Sequence, residues 1–278
     1  MRSSTRHHRT VWYVVATLVA LLFAIPLSLM LTGALRQPGM PPPSGFELVP
    51  SPVSADGYRG AFANSPLARS LLNSLIVAAF AVPLSILVAS WAGFAIARAR
   101  GAARTRLLAG VLLLLMVPVT AVWIPRFAIF KSLGLVGTYV PLIAPALLGG
   151  SPFFVLLYAL AFRRVPQDLY DAAALEGASP FRIWRRIGMP LARSTTVAVG
   201  VLAFLLSWGN FIDPLLYLRD ESTYTAPLAL RFLEQLGPTN WPVLLAGSAV
   251  VTAPVLAGFF LAQRYFLSER STTGWFGR

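Results

Sequence analysis

Hydrophobic positions along the chain fall in long unbroken blocks, without the two-residue alternation of a half-buried strand. Six intervals of at least 19 residues contain no Asp, Glu, Lys or Arg: Thr10–Leu35, Ser70–Ala97, Leu107–Pro125, Ser132–Phe162, Ser194–Ile212 and Gln235–Gln263. A helix crosses the hydrocarbon core of a bilayer with roughly 20 apolar residues. Lipid offers the backbone no hydrogen-bond partners, so each block is predicted to be helical. A closed barrel would need short alternating strands instead. The expected spans are 11–33, 70–97, 107–130, 139–162, 194–218 and 243–264. The pattern predicts an all-α membrane protein with six transmembrane helices.

Composition sharpens this reading. Of the 278 residues, 56% are hydrophobic and only 12% charged, against roughly a quarter charged in a soluble domain. The remaining charge is basic, with 23 Lys and Arg against 10 Asp and Glu, and Lys131 is the only lysine. With the N-terminus inside, the inner segments 1–10, 98–106, 163–193 and 264–278 hold 16 basic residues. The outer segments 34–69, 126–140 and 217–242 hold 7. Positive charge collects on the cytoplasmic side, so both termini are expected to be cytoplasmic. Arginines at helix ends face anionic headgroups, which removes nucleic acid as the reason for the net charge of +13. The apolar run Val11–Leu31 has 21 residues, more than the roughly 7–15 of a secretory signal, and is read as a retained helix.

The chain has no cysteine, and its only histidines are His7 and His8 in the N-terminal tail. Disulfides, thiolate nucleophiles, Cys-ligated metals and a His-dependent site within the membrane are excluded. No catalytic residue and no metal ligand is assigned. An ion-coupled carrier would favour internal repeats and several ionisable groups at mid-membrane; neither is found, which makes it the weaker reading. The expected organisation is a tail at 1–10, a first helix at 11–33, a proline-rich outer loop at 34–66, a membrane core at 67–267 with an inner loop at 163–193, and a tail at 268–278.

That inner loop has internal grammar. Pro166 suits a first helical turn and Asp168 places negative charge there. Asp171-Ala-Ala-Ala-Leu-Glu176 is strongly helix-forming, and Gly177 is placed to end the helix. Ser179 offers an N-cap and Pro180 a first residue for a second short helix. Leu169, Ala172, Ala173 and Glu176 share one face of the first helix, where the alanines allow close approach and Asp171 and Glu176 offer acidic anchors. From composition alone the loop is a solvated connection. Arg182, Arg185 and Arg186 share a face of the second helix, with Phe181 and Trp184 on another that suits the membrane interface.

Asp171-Ala172-Ala173, three residues, Gly177, nine residues, then Ile187-Gly-Met-Pro190 resembles the signature loop of ATP-binding-cassette (ABC) importer permeases. Asp stands where that family more often has Glu. Asn73-Ser74, Ile124-Pro125, Leu133-Gly134-Leu135, Trp208-Gly-Asn210-Phe211, Pro214-Leu215 and Gln263-Arg264-Tyr265-Phe266 resemble the maltose-type carbohydrate permeases, over about 64–267. The tail Ser268–Arg278 departs from the family's small-residue and lysine run. The resemblance implies a type I ABC importer permease fold in a bacterial cytoplasmic membrane, with a coupling helix between helices 4 and 5. Asp171, Ala172, Ala173, Glu176 and Gly177 would dock that helix into a cytoplasmic ATPase. The implied partners are a second permease in a heterodimer, two ATPase subunits and an extracytoplasmic solute-binding protein. ATP and Mg would be bound by the ATPase subunits, with no cofactor in this chain: the residues before Lys131 lack the glycines of a phosphate-binding loop. The implied function is ATP-driven import of a carbohydrate, with a non-sugar solute as the alternative.

On the fifth span, Ser207, Asn210 and Asp213 recur every three residues, Tyr217 follows a turn later, and Pro214 predicts a kink. Polar groups in a span usually face protein or water. Asn210 and Asp213 are candidates to hydrogen-bond a sugar, and Trp208 to stack on its ring. Equally, Asn210 serves as glue between helices and Asp213 marks the outer interface. Asn73 is expected to make an inter-helix bond. Ala89-x3-Gly93-x3-Ala97 and Ala249-x3-Ala253-x3-Ala257 are stripes for close helix packing.

Overall fold

The computed structural model describes residues 2–40 and 49–268. Part of the expected outer loop, nearly all of the expected C-terminal tail and the side chains of His7 and His8 lie outside what is described. The helices run α1 Arg2–Ala34, α2 Asp56–Ala63, α3 Leu67–Arg98, α4 Gly101–Met116, α5 Trp123–Ser132, α6 Val140–Ile143 and α7 Pro152–Arg163. They continue as α8 Gln167–Leu175, α9 Pro180–Ile183, α10 Met189–Leu191, α11 Arg193–Trp208, α12 Ile212–Tyr217, α13 Ala226–Glu234 and α14 Trp241–Ser268. Among the described residues, extended pairing is limited to an isolated bridge between Arg36 and Val53.

Among the described residues, four helical stretches are long and apolar enough to cross a membrane unaided: Val11–Ala34, Leu67–Arg98, Val140–Arg163 and Trp241–Gln263. Two bent pairs raise the number to six when each counts as one span: Gly101–Met116 with Val119–Ser132, and Pro180–Leu191 with Arg193–Trp208, each bent by 84°.

Three expected spans are interrupted, each for a local reason. The span expected at 107–130 breaks after Met116, where Val117 and Pro118 turn extended. Proline has no N–H to continue the ladder and pushes its predecessor out of the helical region. The span expected at 139–162 passes through a 3-10 turn at Ala144–Leu148 into Gly149 and Gly150, both with positive φ. It restarts at Pro152, capped by the Ser151 hydroxyl accepting from the Phe153 N–H. The span expected at 194–218 stops at Trp208 and resumes at Ile212. The kink expected at Pro214 therefore lies earlier, at Gly209–Phe211. Pro214 itself sits in the first turn of α12, where a missing N–H costs nothing.

The backbone falls into two compact units, residues 1–68 with 229–253 and residues 69–228 with 254–278. In the first, no described side chain from Val11 to Leu31 is buried, so α1 presents apolar surface on every side. Its end packs against α14: Gly33 lies against Trp241, and just beyond the helix Arg36 stacks over that indole at 5.9 Å.

The second unit has two apolar clusters. One joins the later halves of α3 and α7 to the 163–193 loop through Phe94, Tyr158, Phe162, Tyr170 and Trp184. The other gathers Val77, Leu142, Tyr217 and Leu218 with Phe127 and Phe130. The stripe Ala89–Gly93–Ala97 packs as expected: Ala89 is fully buried, and a Cβ on Gly93 would stand 2.5 Å from Tyr158 Cβ and 2.8 Å from the Ala159 nitrogen. In the second stripe Ala249 is buried, while Ala253 and Ala257 are exposed. Asn73 bonds protein as expected, its amide donating to the carbonyls of Ser222 at 2.9 Å and Tyr224 at 3.0 Å. Beside it the Ser74 hydroxyl accepts from the Ala226 N–H at 2.8 Å.

Replacing Gly93 by leucine is expected to destabilise the chain by about 1–3 kcal/mol through overpacking. Gly110→Ala, where nothing lies within 4 Å of the added carbon, is expected to be neutral or mildly stabilising. Melting temperatures in detergent check this, and equal melting of the two variants would contradict the close approach of α3 and α7.

Candidate functional site

Two places in the second unit concentrate polar residues in a built setting. The first is the loop between α7 and α11. Pro166 precedes α8 and Asp168 lies in its first turn. The helix ends in a Schellman turn: the Gly177 N–H donates to the Ala174 carbonyl and the Ala178 N–H to the Ala173 carbonyl, each at 3.0 Å. This needs Gly177 at φ +77°, although a side chain there would meet nothing within 4 Å. The glycine is thus demanded by backbone conformation, not by space. Ser179 then caps α9, its hydroxyl accepting from the Arg182 N–H at 3.3 Å.

One side of α8 is anchored. Tyr170, 1% exposed, packs edge-on against Phe94 and donates to the Phe162 carbonyl at 3.4 Å. Burial pushes its phenol above the ordinary range, with Arg98 opposing, so it stays a neutral donor. The other side is open. Leu169, Ala172, Leu175 and Glu176 are exposed, and Leu175 reaches 91%. Ala173, expected on that open face, is half-buried against the chain's own core because it follows Tyr170 by three residues. Asp171 does not project as a lone anchor: Arg98 and Arg100 lie 3.6 Å and 3.8 Å from its carboxylate, and Gln167 donates to it at 3.1 Å. Trp184 is buried against Trp91 within a π-helical turn at Trp184–Gly188, while Phe181 remains exposed. Phe181 and Trp184 do share a face, their ring centroids 5.5 Å apart, but only Phe181 is left exposed on it.

The second place is a cavity of about 210 Å³ lined by residues of α3, α5, α7, α11 and α12 and of the breaks before α7 and α12, among them Ser85, Arg126, Gly150, Ser207, Asn210 and Asp213. Asn210 caps α12: its side-chain oxygen accepts from the Asp213 N–H at 3.2 Å and its amide donates to Asp213 Oδ2 at 2.9 Å. Asp213 also receives a charge-assisted bond from Arg126 Nη2, and Arg126 Nε donates to the Tyr217 hydroxyl at 3.2 Å. The two charged side chains are 20% and 11% exposed, so their charges cancel within the wall.

Asn210 and Asp213 thus line one cavity. Trp208 does not: it is 2% exposed and stacks on Phe204, with ring centroids 5.4 Å apart. Its position on α11 turns it into the helix packing, and no face is left for a ring to stack on. Arg126 was missed. The signal for it lies in the sequence, since an arginine inside an expected span requires a partner, and Asp213 is the only acid in the six expected spans.

These features define a polytopic helical membrane protein with a helix–turn–helix loop and a polar cavity. Residues 81–268 match the family of binding-protein-dependent transport system inner membrane components. The chain belongs to that family, and it is a multi-pass component of the plasma membrane. Over 260 residues it is 31% identical to the arabinooligosaccharides transport system permease protein AraQ of Halalkalibacterium halodurans, covering 92% of each chain. It is 31% identical to the lactose transport system permease protein LacG of Rhizobium radiobacter, over 76% of this chain and 77% of that one. It resembles in fold a chain of a bacterial ABC transporter that imports the acidic polysaccharide alginate, with a TM-score of 0.78 at 19% identity over 95% of this chain and 98% of that one.

Removing one partner of the Arg126–Asp213 pair leaves an uncompensated buried charge. Asp213→Ala is expected to cost about 3–5 kcal/mol, whereas the paired change Arg126→Met with Asp213→Leu costs much less or nothing. Thermal unfolding in detergent reads the difference, and a paired variant as damaged as the single one would show that the two residues are not coupled.

Proposed function

We propose that this chain is the permease subunit of an ATP-driven importer for a carbohydrate, paired with a second permease as a heterodimer. In this reading α8 is the coupling helix. Two cytoplasmic ATPase subunits, which bind the ATP and Mg, grip it from outside through the ridge of Leu169, Ala172, Leu175 and Glu176. A solute-binding protein delivers cargo on the opposite side, and both termini are cytoplasmic. The observation that carries the proposal is the exposed apolar ridge of α8. Leu175 stands 91% exposed at the end of a short helix whose other side is anchored, where a partner's cleft would remove it from water. A carbohydrate cargo is supported by the names of the relatives, which transport arabinooligosaccharides, lactose and trehalose. A solved neighbour in complex with an alginate-loaded periplasmic protein supports delivery by a binding protein.

The cavity supplies the chemistry a sugar would need. Asn210, Ser207 and Ser85 offer uncharged donors and acceptors, and Asp213 offers a carboxylate whose charge Arg126 offsets.

Closure of the ATPase subunits would carry α8 with them as a rigid body and switch the membrane path between its two openings. Ala172→Asp places a charge on the docking ridge, and Gly177→Val strains the Schellman turn by about 1–2 kcal/mol. Each is expected to lower uptake of a labelled sugar panel by about tenfold or more, corresponding to about 1.4 kcal/mol of lost coupling. The amount of chain in the membrane should not change. Unchanged uptake in both variants would contradict the coupling role of α8.

A further inference from the structure

Asp171 directs its carboxylate into its own chain. Arg98 Nη1 lies 3.6 Å from Oδ1 and Arg100 Nη2 lies 3.8 Å from Oδ2, so each carboxylate oxygen has its own guanidinium. Arg98 also stacks over the Tyr170 ring at 5.2 Å, and Tyr170 meets Phe94 edge-on at 5.8 Å. Phe94 and Arg98 are four residues apart on one face of α3, and Tyr170 and Asp171 are neighbours on α8. One turn of α8 is thus held by the last turns of α3 through both a ring contact and an ion pair.

We propose that Arg98 and Arg100, closed on Asp171, form an ionic latch that passes motion of α8 into the second membrane span. This rests on the reading of α8 as the docked helix and names the element that its movement drives. Arg98 is the principal member. Its side chain is 28% exposed against 80% for Arg100, and exposed pairs contribute little. Asp171, its side chain 45% exposed but held by its own chain's arginines, is therefore a positioning residue, and Glu176, exposed at the end of α8, is the acid left free of such a hold to face a partner. Without the latch α8 would still be gripped by the ATPase, while α3 would follow it only through the Phe94–Tyr170 contact.

Amide hydrogen exchange on the assembled complex, with and without ATP plus vanadate, tests this directly. In the wild-type complex, trapping is expected to change exchange at 170–176 and at 94–100 together. In Asp171→Asn, and in Arg98→Gln with Arg100→Gln, the response at 170–176 should persist while that at 94–100 shrinks by about tenfold. Combining all three changes should add no further loss. Arg98→Lys keeps a cation in place and should retain the wild-type response; loss as complete as in the glutamine variant would assign Arg98 to packing and overturn the latch. The latch is also overturned if 94–100 respond undiminished in the variants. A third contrary result is loss of the 170–176 response in Asp171→Asn with the arginine variant intact, since Asp171 would then anchor the partner. Absence of any response at 170–176 in the wild-type complex would instead remove the docking of α8 itself, and the latch with it.

Discussion

A chain in hydrocarbon must satisfy its backbone hydrogen bonds from within, and the architecture of this protein follows from that constraint. It makes the apolar blocks helical, and it also dictates where the helices are allowed to fail. Three interruptions stand out: Val117–Pro118, Gly149–Gly150 and Gly209–Phe211. Gly150 and Asn210 carry the last two into the wall of one cavity, and Val119, directly after the first, lines it too. Freed backbone groups are tolerated at membrane depth where they face protein or a polar hollow, and here the breaks create the hollow that accommodates them.

The same logic governs the charges. Arg126 sits in the helix that follows one break and Asp213 in the short helix that follows another, and each would be costly alone. Joined, with Asn210 and Tyr217 completing the network, they tie two broken spans together while leaving the cavity wall without net charge. Stability and the chemistry of the cavity therefore share one set of side chains. Away from the cavity, the loop of α8 and α9 uses the opposite strategy. One side is anchored by Tyr170 and Asp171, and the other keeps Leu169, Ala172 and Leu175 exposed. A helix so divided is suited to transmit force, because it is held by its own chain and still open to a partner.

Much of this was legible in the residues. Charge-free blocks located the helices, and Gly177 with Ser179-Pro180 marked the helix–turn–helix of the loop, because left-handed backbone and capping are encoded locally. The small stripe from Ala89 to Ala97 marked close packing for the same reason. What escaped depends on tertiary direction. The kink expected at Pro214 fell at Gly209–Phe211, because proline is harmless in a first turn and the Asn210 cap decided where α12 begins. Trp208 was a plausible sugar platform until its ring turned into Phe204. Asp171 was legible as an acid, but its partners Arg98 and Arg100 are more than seventy residues away in sequence, and only the fold brings them together.

The most direct measurement of the central claim is a structure of this chain in its assembled transporter with an ATPase subunit bound. The expected result is Leu169, Ala172 and Leu175 buried in a cleft of that subunit. The same three side chains found in water, or on the side of the bilayer away from the ATPase, would contradict it.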